Sequence, residues 1–159
     1  MTPSHCRPGR AVLFHQVNHY EGRADYMLGE YAAAEKAERA SIEERKHTPI
    51  EAVSDRRDIG ELSTWLAMAV ARQGRAAEAA GIIAPVVSFQ RELAAKNRGD
   101  LWQTVEFAAA LYAQALTDPQ HASPLLREAA AKMDALPAAL RGLHDVRLWR
   151  GLISAAERG

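Results

Sequence analysis

Two histidines four residues apart, His15-x-x-x-His19, have the best spacing for chemistry in this 159-residue chain. On a helix they share one face, an arrangement with which paired imidazoles hold a divalent metal. A specific site also needs a third ligand held firmly. The nearest candidates are Glu21 and the pair His5 and Cys6, and the pair lies on a segment expected to be loose. Histidines facing solvent or a groove are therefore the simpler reading, with a metal-binding helical domain through His15/His19 as the alternative. Cys6, the sole cysteine, has no oriented base beside it and cannot form an internal disulfide. Asp55-Arg56-Arg57-Asp58 resembles a phosphate-binding or catalytic cluster, but at helical spacing it is a charged first turn, with acids near the positive end of the helix dipole. No P-loop, GxGxxG, HExxH, GxSxG or CxxC pattern occurs. These residues support no catalytic group, no metal and no cofactor, so the chain does not read as an enzyme.

Composition narrows the class. Alanine makes up roughly a fifth of the residues, well above ordinary usage. It is the best helix former and lets helices approach closely, so the expected class is all-α. Lys+Arg and Asp+Glu are balanced at 20 each, and the pI is near 7.0. No net positive field gathers nucleic acid or an anionic membrane. The first ten residues lack an apolar core for a secretory signal, and no run approaches the roughly 18 apolar residues of a membrane span. A cytoplasmic protein is the default expectation.

The elements that would carry any site follow from periodicity and punctuation. Residues 1–9 read as a disordered lead-in and residues 10–159 as a single helical domain. A first helix is predicted over about 10–27 with an apolar stripe of Val12, Leu13, Val17, Tyr20 and Tyr26. Gly29 ends it in the left-handed conformation. A second helix, about 30–46, packs Tyr31, Ala33, Ala34, Ala37 and Ala40, while Glu35, Arg39 and Glu43 make a solvated ladder widened by Lys36, Glu38, Glu44 and Arg45. Thr48-Pro49-Ile50-Glu51 has the form of a helix start. The third helix is placed at about 55–73, with Asp58 and Glu61 a weaker capping signal. The fourth runs from the Gly74 turn to about Lys96, kinked or broken by Pro85. Asp100 with Gln103 makes a capping box for a fifth helix, about 101–117. Ser123-Pro124 starts a sixth, and Pro137 and Gly142 separate it from a seventh at about 144–156. There Val146, Trp149, Leu152, Ile153 and Ala156 form the apolar stripe.

Sliding the chain against itself reveals repetition. GEYAAAEKA from Gly29 aligns with GRAAEAAGI from Gly74, and LAMAVARQG from Leu66 with FAAALYAQA from Phe107. Gly22, Ala67 and Ala108 recur ahead of the turns, and Ala34 and Ala79 after them. Small residues there let paired helices touch closely. With Gly22, Gly29, Tyr31 and Ala34 in one copy, Leu66, Ala67, Gly74 and Ala79 in the next, and Phe107, Ala108 and Leu111 in a third, the chain resembles the tetratricopeptide-repeat (TPR) family over about 10–136. The spacing is closest to the long-helix variety found in kinesin light chains. The third copy replaces the turn glycine with Ala115, and the family's closing proline is missing. The resemblance implies an all-α, TPR-like α-solenoid of three antiparallel helix hairpins plus a C-terminal capping helix.

It also implies a function. The first helices of the hairpins would line a concave groove taking a partner peptide or helix, with no reaction chemistry. By alignment the groove would include Gln16, His19, Arg23 and Tyr26, then Thr64, Met68 and Arg72, then Trp102, Val105 and Tyr112. Trp65 and Trp102 also read as core between hairpins. The last helix, with a basic edge of Arg141, Arg147, Arg150 and Arg158 beside Trp149, reads as the polar-backed cap of a stack rather than a membrane helix. A fainter similarity of LAMAVARQGRAAEA and MDALPAALRGLHDVRLW to C-terminal segments of bacterial multidomain signalling proteins gives another alternative. In that reading the chain is a regulatory or dimerisation fragment, forming a homodimer through Trp149 and the last helix. The partner under the main reading is a protein or peptide, with no nucleic acid and no membrane.

Overall fold

In the computed structural model the chain is all-helical. The structure describes residues 9–47, 52–96 and 100–158, with side chains of the first helix described from Gln16 onward. The helices are α1 (Gly9–Leu28), α2 (Tyr31–Lys46), α3 (Val53–Arg72), α4 (Ala76–Lys96), α5 (Leu101–Thr117), α6 (Ala122–Asp134) and α7 (His144–Arg158), with a 3-10 turn, Ala138–Leu140, before the last. No strand occurs among the described residues. Apart from Gly9, which opens α1, the expected lead-in lies outside them, and so do the Thr48–Glu51 start signal and Cys6.

Each helix packs against the next in sequence, and α1 also meets α3, α3 meets α5, and α5 meets α7. The first two hairpins turn in the same way. Gly29 and Gly74 have φ of 84° and 80°, the region where a side chain is strained. At each, the glycine and the residue after it close the helix: Glu30 N donates to Asp25 O at 2.9 Å, and Arg75 N to Val70 O at 3.3 Å. This is the Schellman closure, which satisfies carbonyls otherwise left without partners. The third hairpin lacks such a glycine. Its chain passes through Asp118, whose carboxylate accepts from His121 N at 3.3 Å. His121, without a side-chain cap bond, precedes α6 where Ser123 was expected to cap it.

The small residues sit at the close approaches. Ala67, Ala79 and Ala108 are fully buried, and Ala34 nearly so. A Cβ on Gly22 would lie 2.8 Å from a carboxylate oxygen of Glu38 on α2, so glycine is what the buried acid requires there.

Several local expectations are corrected. Helix α4 runs unbroken through Pro85. Both Pro85 and Gly81, whose carbonyl loses its donor, are exposed, so that carbonyl is open to solvent rather than buried without a partner. Asp100 caps α5 by accepting from Gln103 N at 3.0 Å, but the Gln103 side chain does not return the bond. It is buried and donates to Gln90 O on α4 at 3.2 Å. Helix α3 starts two residues earlier than expected, with Ala52 N donating to Asp55 Oδ2 at 2.9 Å, so Asp58 and Glu61 are interior.

The largest corrections concern which faces are buried. On α2 the buried residues are Ala34, Glu38, Ser41 and Arg45, while Ala33 is exposed. Glu38 and Arg45 are therefore inside rather than on a solvated face, because each has an opposite charge from a neighbouring helix: His19 for Glu38 and Asp55 for Arg45. On α1, Val17 and Tyr20 are 51% and 64% exposed. The helix instead packs through His19, Gly22 and Tyr26, spaced three and four residues apart. Gly29→Ala and Gly74→Ala should each lower the unfolding free energy by about 1 kcal/mol without changing helix content, as read by urea titration followed by circular dichroism.

Candidate functional site

The aromatic residues of the first helices converge on one tryptophan of the last. Trp149 on α7 lies 5.0 Å from Trp65 on α3 and 6.2 Å, edge-on, from Tyr112 on α5. Trp65 in turn meets Tyr26 on α1 edge-on at 5.6 Å, and Tyr26 meets Tyr31 on α2 at 5.3 Å. Rings at these separations attract beyond the area they bury. Helix α7 thus crosses the face made by α1, α3 and α5. Arg23 Nη2 donates to Asp145 Oδ1 at 2.7 Å at the α1 side of this crossing. The α7 stripe is as expected, with Val146, Trp149 and Ile153 buried and Leu152 and Ala156 packed beside them.

That crossing decides where the ten groove residues stand. Tyr26, Thr64, Met68, Val105 and Tyr112 are buried, Met68 completely. His19 is buried too, in an ionic cluster one turn along α1 from Arg23. Tyr26 accepts from Arg72 Nε at 3.2 Å, and burial pushes its hydroxyl well above the ordinary tyrosine range. Gln16, Arg72 and Trp102 are exposed, and Arg23 is half-buried. Helix α7 itself packs on α3 and α5, through Trp149 against Trp65 and Tyr112, where an outside helix was expected. Trp149, the contact in the dimer alternative, is 6% exposed within that packing.

The charged groups around the crossing form a linked set. His19 Nδ1 donates to Glu38 at 2.9 Å, and Nε2 faces Glu61 at 3.4 Å. Burial opposes the imidazolium, but the bonds to Glu38 and Glu61 outweigh it and raise the His19 pKa to about 9. Burial pushes the Glu38 carboxyl up, against the pull of His19. Burial also pushes Glu61 up, but His19 and Arg23 together hold it below the usual carboxylate range. Both nitrogens of His19 are thus committed to carboxylates, and a metal would have to displace one; the His15 side chain lies outside those described. Arg23 also stacks on Trp65, its guanidinium carbon 5.1 Å from the ring centre.

In the Asp55–Asp58 cluster both acids face Arg45, Asp58 at 3.9 Å, while the two arginines turn to other helices. Asp55 caps α3 and pairs with Arg45, Arg56 lies over the Phe89 ring at 4.2 Å, and Arg57 grips Glu106 through two bonds of 2.8 Å. Two arginines of the expected basic edge have structural partners. Arg141 donates to Asp134 O and Leu136 O, and Arg150 to Met133 O, covering the carbonyls at the end of α6.

Beside α7 a cleft of about 110 Å³ remains open between α3, α5 and α7. Trp65, Trp102 and Trp149 line it together with Glu61, Glu106 and Asp145. Thr64, Trp102 and Val105 of the expected groove line this cleft, whereas the three acids and Trp149 are not marked out for it by local pattern. They come from three helices, and only the return of α7 brings them together. For Glu38 a signal did exist: Ala34, Glu38, Ser41 and Arg45 fall at i, i+4, i+7 and i+11, one face continuous with the packed alanine.

No protein-family model, curated protein or solved structure matches this chain.

The sign of the His19 linkage sets a pH prediction. A folded pKa of about 9 against 6.5 unfolded means the folded state holds the proton more tightly. The stabilisation is complete below pH 6.5 and is lost as pH rises through 9. Unfolding free energy should therefore fall by on the order of 3 kcal/mol between those limits. In the double variant His19→Gln/Glu38→Gln, denaturant titrations across that range should give a flat profile by comparison.

Proposed function

We propose that the chain is a non-catalytic protein-interaction module built as a short TPR-like solenoid, located in the cytoplasm. Three antiparallel hairpins stack through their first helices, and α7 both caps the stack and returns over its concave side. The shared geometry of the Gly29 and Gly74 turns supports the repeat, as does the lateral series of α1 on α3, α3 on α5 and α5 on α7. The partner is a segment of another protein.

The observation that carries the reading is Trp102, 52% exposed at the cleft beside α7. A large aromatic ring left half in water, next to a cleft walled by two more tryptophans, is the usual form of a binding anchor. The cleft's volume suits one inserted side chain from an extended segment. A whole helix face would have to displace α7. Thr64 and Val105, both named from sequence, line the cleft, so this narrower site keeps part of the groove first expected.

Selection of a random displayed peptide library on the purified chain tests this. Selected peptides should share an anchor residue, perturb the indole N–H resonances of Trp65, Trp102 and Trp149, and bind at least about tenfold more weakly to Trp102→Ala. Peptides without a common anchor, or binding indifferent to Trp102→Ala, would remove the assignment of the cleft.

A further inference from the structure

The side of α1 turned away from its packed face carries a regular apolar row. Val17, Tyr20, Ala24 and Met27 follow one another at alternating spacings of three and four, and Leu13 continues the series in sequence. This is the spacing of a heptad seam, which keeps one line of a helix against a second helix. All four described members are exposed, Met27 by 51%, and Leu28 beside them by 76%. The residues that α1 does pack, His19, Gly22 and Tyr26, lie on the other side of the helix. Apolar residues scattered singly over a surface need no explanation, whereas a contiguous row marks an interaction site. Tyr20, Ala24 and Met27 also form one bank of a groove of about 470 Å³, with His144 and Leu148 of α7 on the other bank. Trp65 and the Arg23–Asp145 pair complete its lining, so a helix laid on the row meets a second wall.

Charge decides the occupant. Glu21 and Asp25 stand along the border of the row, each one position after a seam residue, and neither is ion-paired among the described residues. Glu44 of α2 extends that border: it accepts from Asn18 Nδ2 at 3.3 Å and has no cation paired to it among the described residues. Arg23, on the opposite border, is committed to Asp145 and Glu61. An apolar seam with an unpaired acidic border is complemented by an apolar seam with a basic flank. Pairing α1 with itself, antiparallel about the middle of the row, would instead bring two copies of Glu21 together, a like-charge contact.

We propose that this face of α1 docks a basic amphipathic helix of another protein. Apolar residues at i, i+3 and i+7 of that helix sit on Tyr20, Ala24 and Met27, and its Lys or Arg flank lies against Glu21 and Asp25. The surface shares no exposed residue with the Trp102 cleft, so the outcome of the Trp102 test does not bear on it.

The experiment titrates the full chain into a trace of labelled three-heptad peptide, with leucine at the seam and lysine on the flanks, read by fluorescence anisotropy. One control peptide has glutamate in place of lysine, and another has the seam order scrambled. The expected result is saturable binding of the lysine peptide, with both controls at least about tenfold weaker. The chain's formal net charge is zero, so this preference does not come from overall attraction. Tyr20→Ser/Met27→Ser, at exposed positions, should weaken the lysine peptide about tenfold without changing the circular dichroism spectrum. Glu21→Lys/Asp25→Lys should invert the preference, so that the glutamate peptide binds more tightly than the lysine peptide.

Equal binding of the two charged peptides, an unaltered preference in the charge-reversed variant, or no saturable binding at all overturns the proposal. Sedimentation equilibrium of the chain alone covers a second copy as occupant. A dimer that Tyr20→Ser/Met27→Ser converts to monomer assigns the row to self-association and overturns it. Co-sedimentation with phosphatidylcholine vesicles that the same variant abolishes overturns it in favour of a lipid surface.

Discussion

Trp65 is the side chain on which the arrangement turns. It is packed by Tyr26 at its edge, by Trp149 at 5.0 Å and by the Arg23 guanidinium, so groups from α1 and α7 meet on one residue of α3. Consecutive helices are held together by short connections and alanine-lined contacts. Nothing in those connections makes α7 approach α3 or α1. Burial of the two indoles does, since a large aromatic pair gains both from area removed from water and from favourable ring geometry. The Arg23–Asp145 bond then fixes the N-terminal end of α7 against α1. The bond is partly exposed, so it orients the helix more than it holds it.

Charge burial follows the same logic one turn earlier on α1. His19 and Glu38 form an ion pair, the acid fully enclosed, with Gly22 leaving the room that the carboxylate needs. Such a pair need not add net stability over an apolar contact of equal volume, because both ions lose their water. What it does is penalise misalignment: if α2 shifts along α1, an unpaired charge is left inside. The Arg57–Glu106 pair, with Gln90 also donating to Glu106 at 3.3 Å, sets α3, α4 and α5 against one another in a similar way. Register along the stack is therefore specified by polar contacts, and close approach by small residues.

The sequence made the helices and their turns legible because those are local. Positive-φ glycines, the Asp100 cap and the apolar stripe of α7 depend on residues within a few positions of one another. Polar residues were harder. Glu38 and Arg45 look solvated until His19 and Asp55, from other helices, are placed beside them. The exposure of Val17 and Tyr20 could not be read from α1 alone, since their periodicity fits a packed stripe and only the position of α1 among the helices leaves that side open among the described residues. Pro85 is tolerated because its turn of α4 faces water, another fact of tertiary position. Of the groove, Trp102 stands where a partner can reach it, whereas Tyr26, Met68 and Tyr112 do not. The difference is tertiary: Trp149 of α7 packs on Tyr112, and Tyr26 is enclosed by Tyr31 and Trp65, contacts that no local pattern encodes.

The return of α7 also explains why the site is narrow and acidic in a chain whose charges balance overall. Without α7, the faces of Trp65 and Tyr112 that meet Trp149 would be exposed together, the kind of apolar patch that drives association. Covering it with α7 removes that patch except along one border. There the helix contributes Asp145, and α3 and α5 contribute Glu61 and Glu106. The arginines that balance these acids reach them from outside the cleft wall, because an arginine needs its length to span two helices, whereas the shorter acids sit close to the backbone and stay at the wall. Each acid at this border is thus balanced by a cation from a neighbouring helix, Asp145 and Glu61 by Arg23 and Glu106 by Arg57.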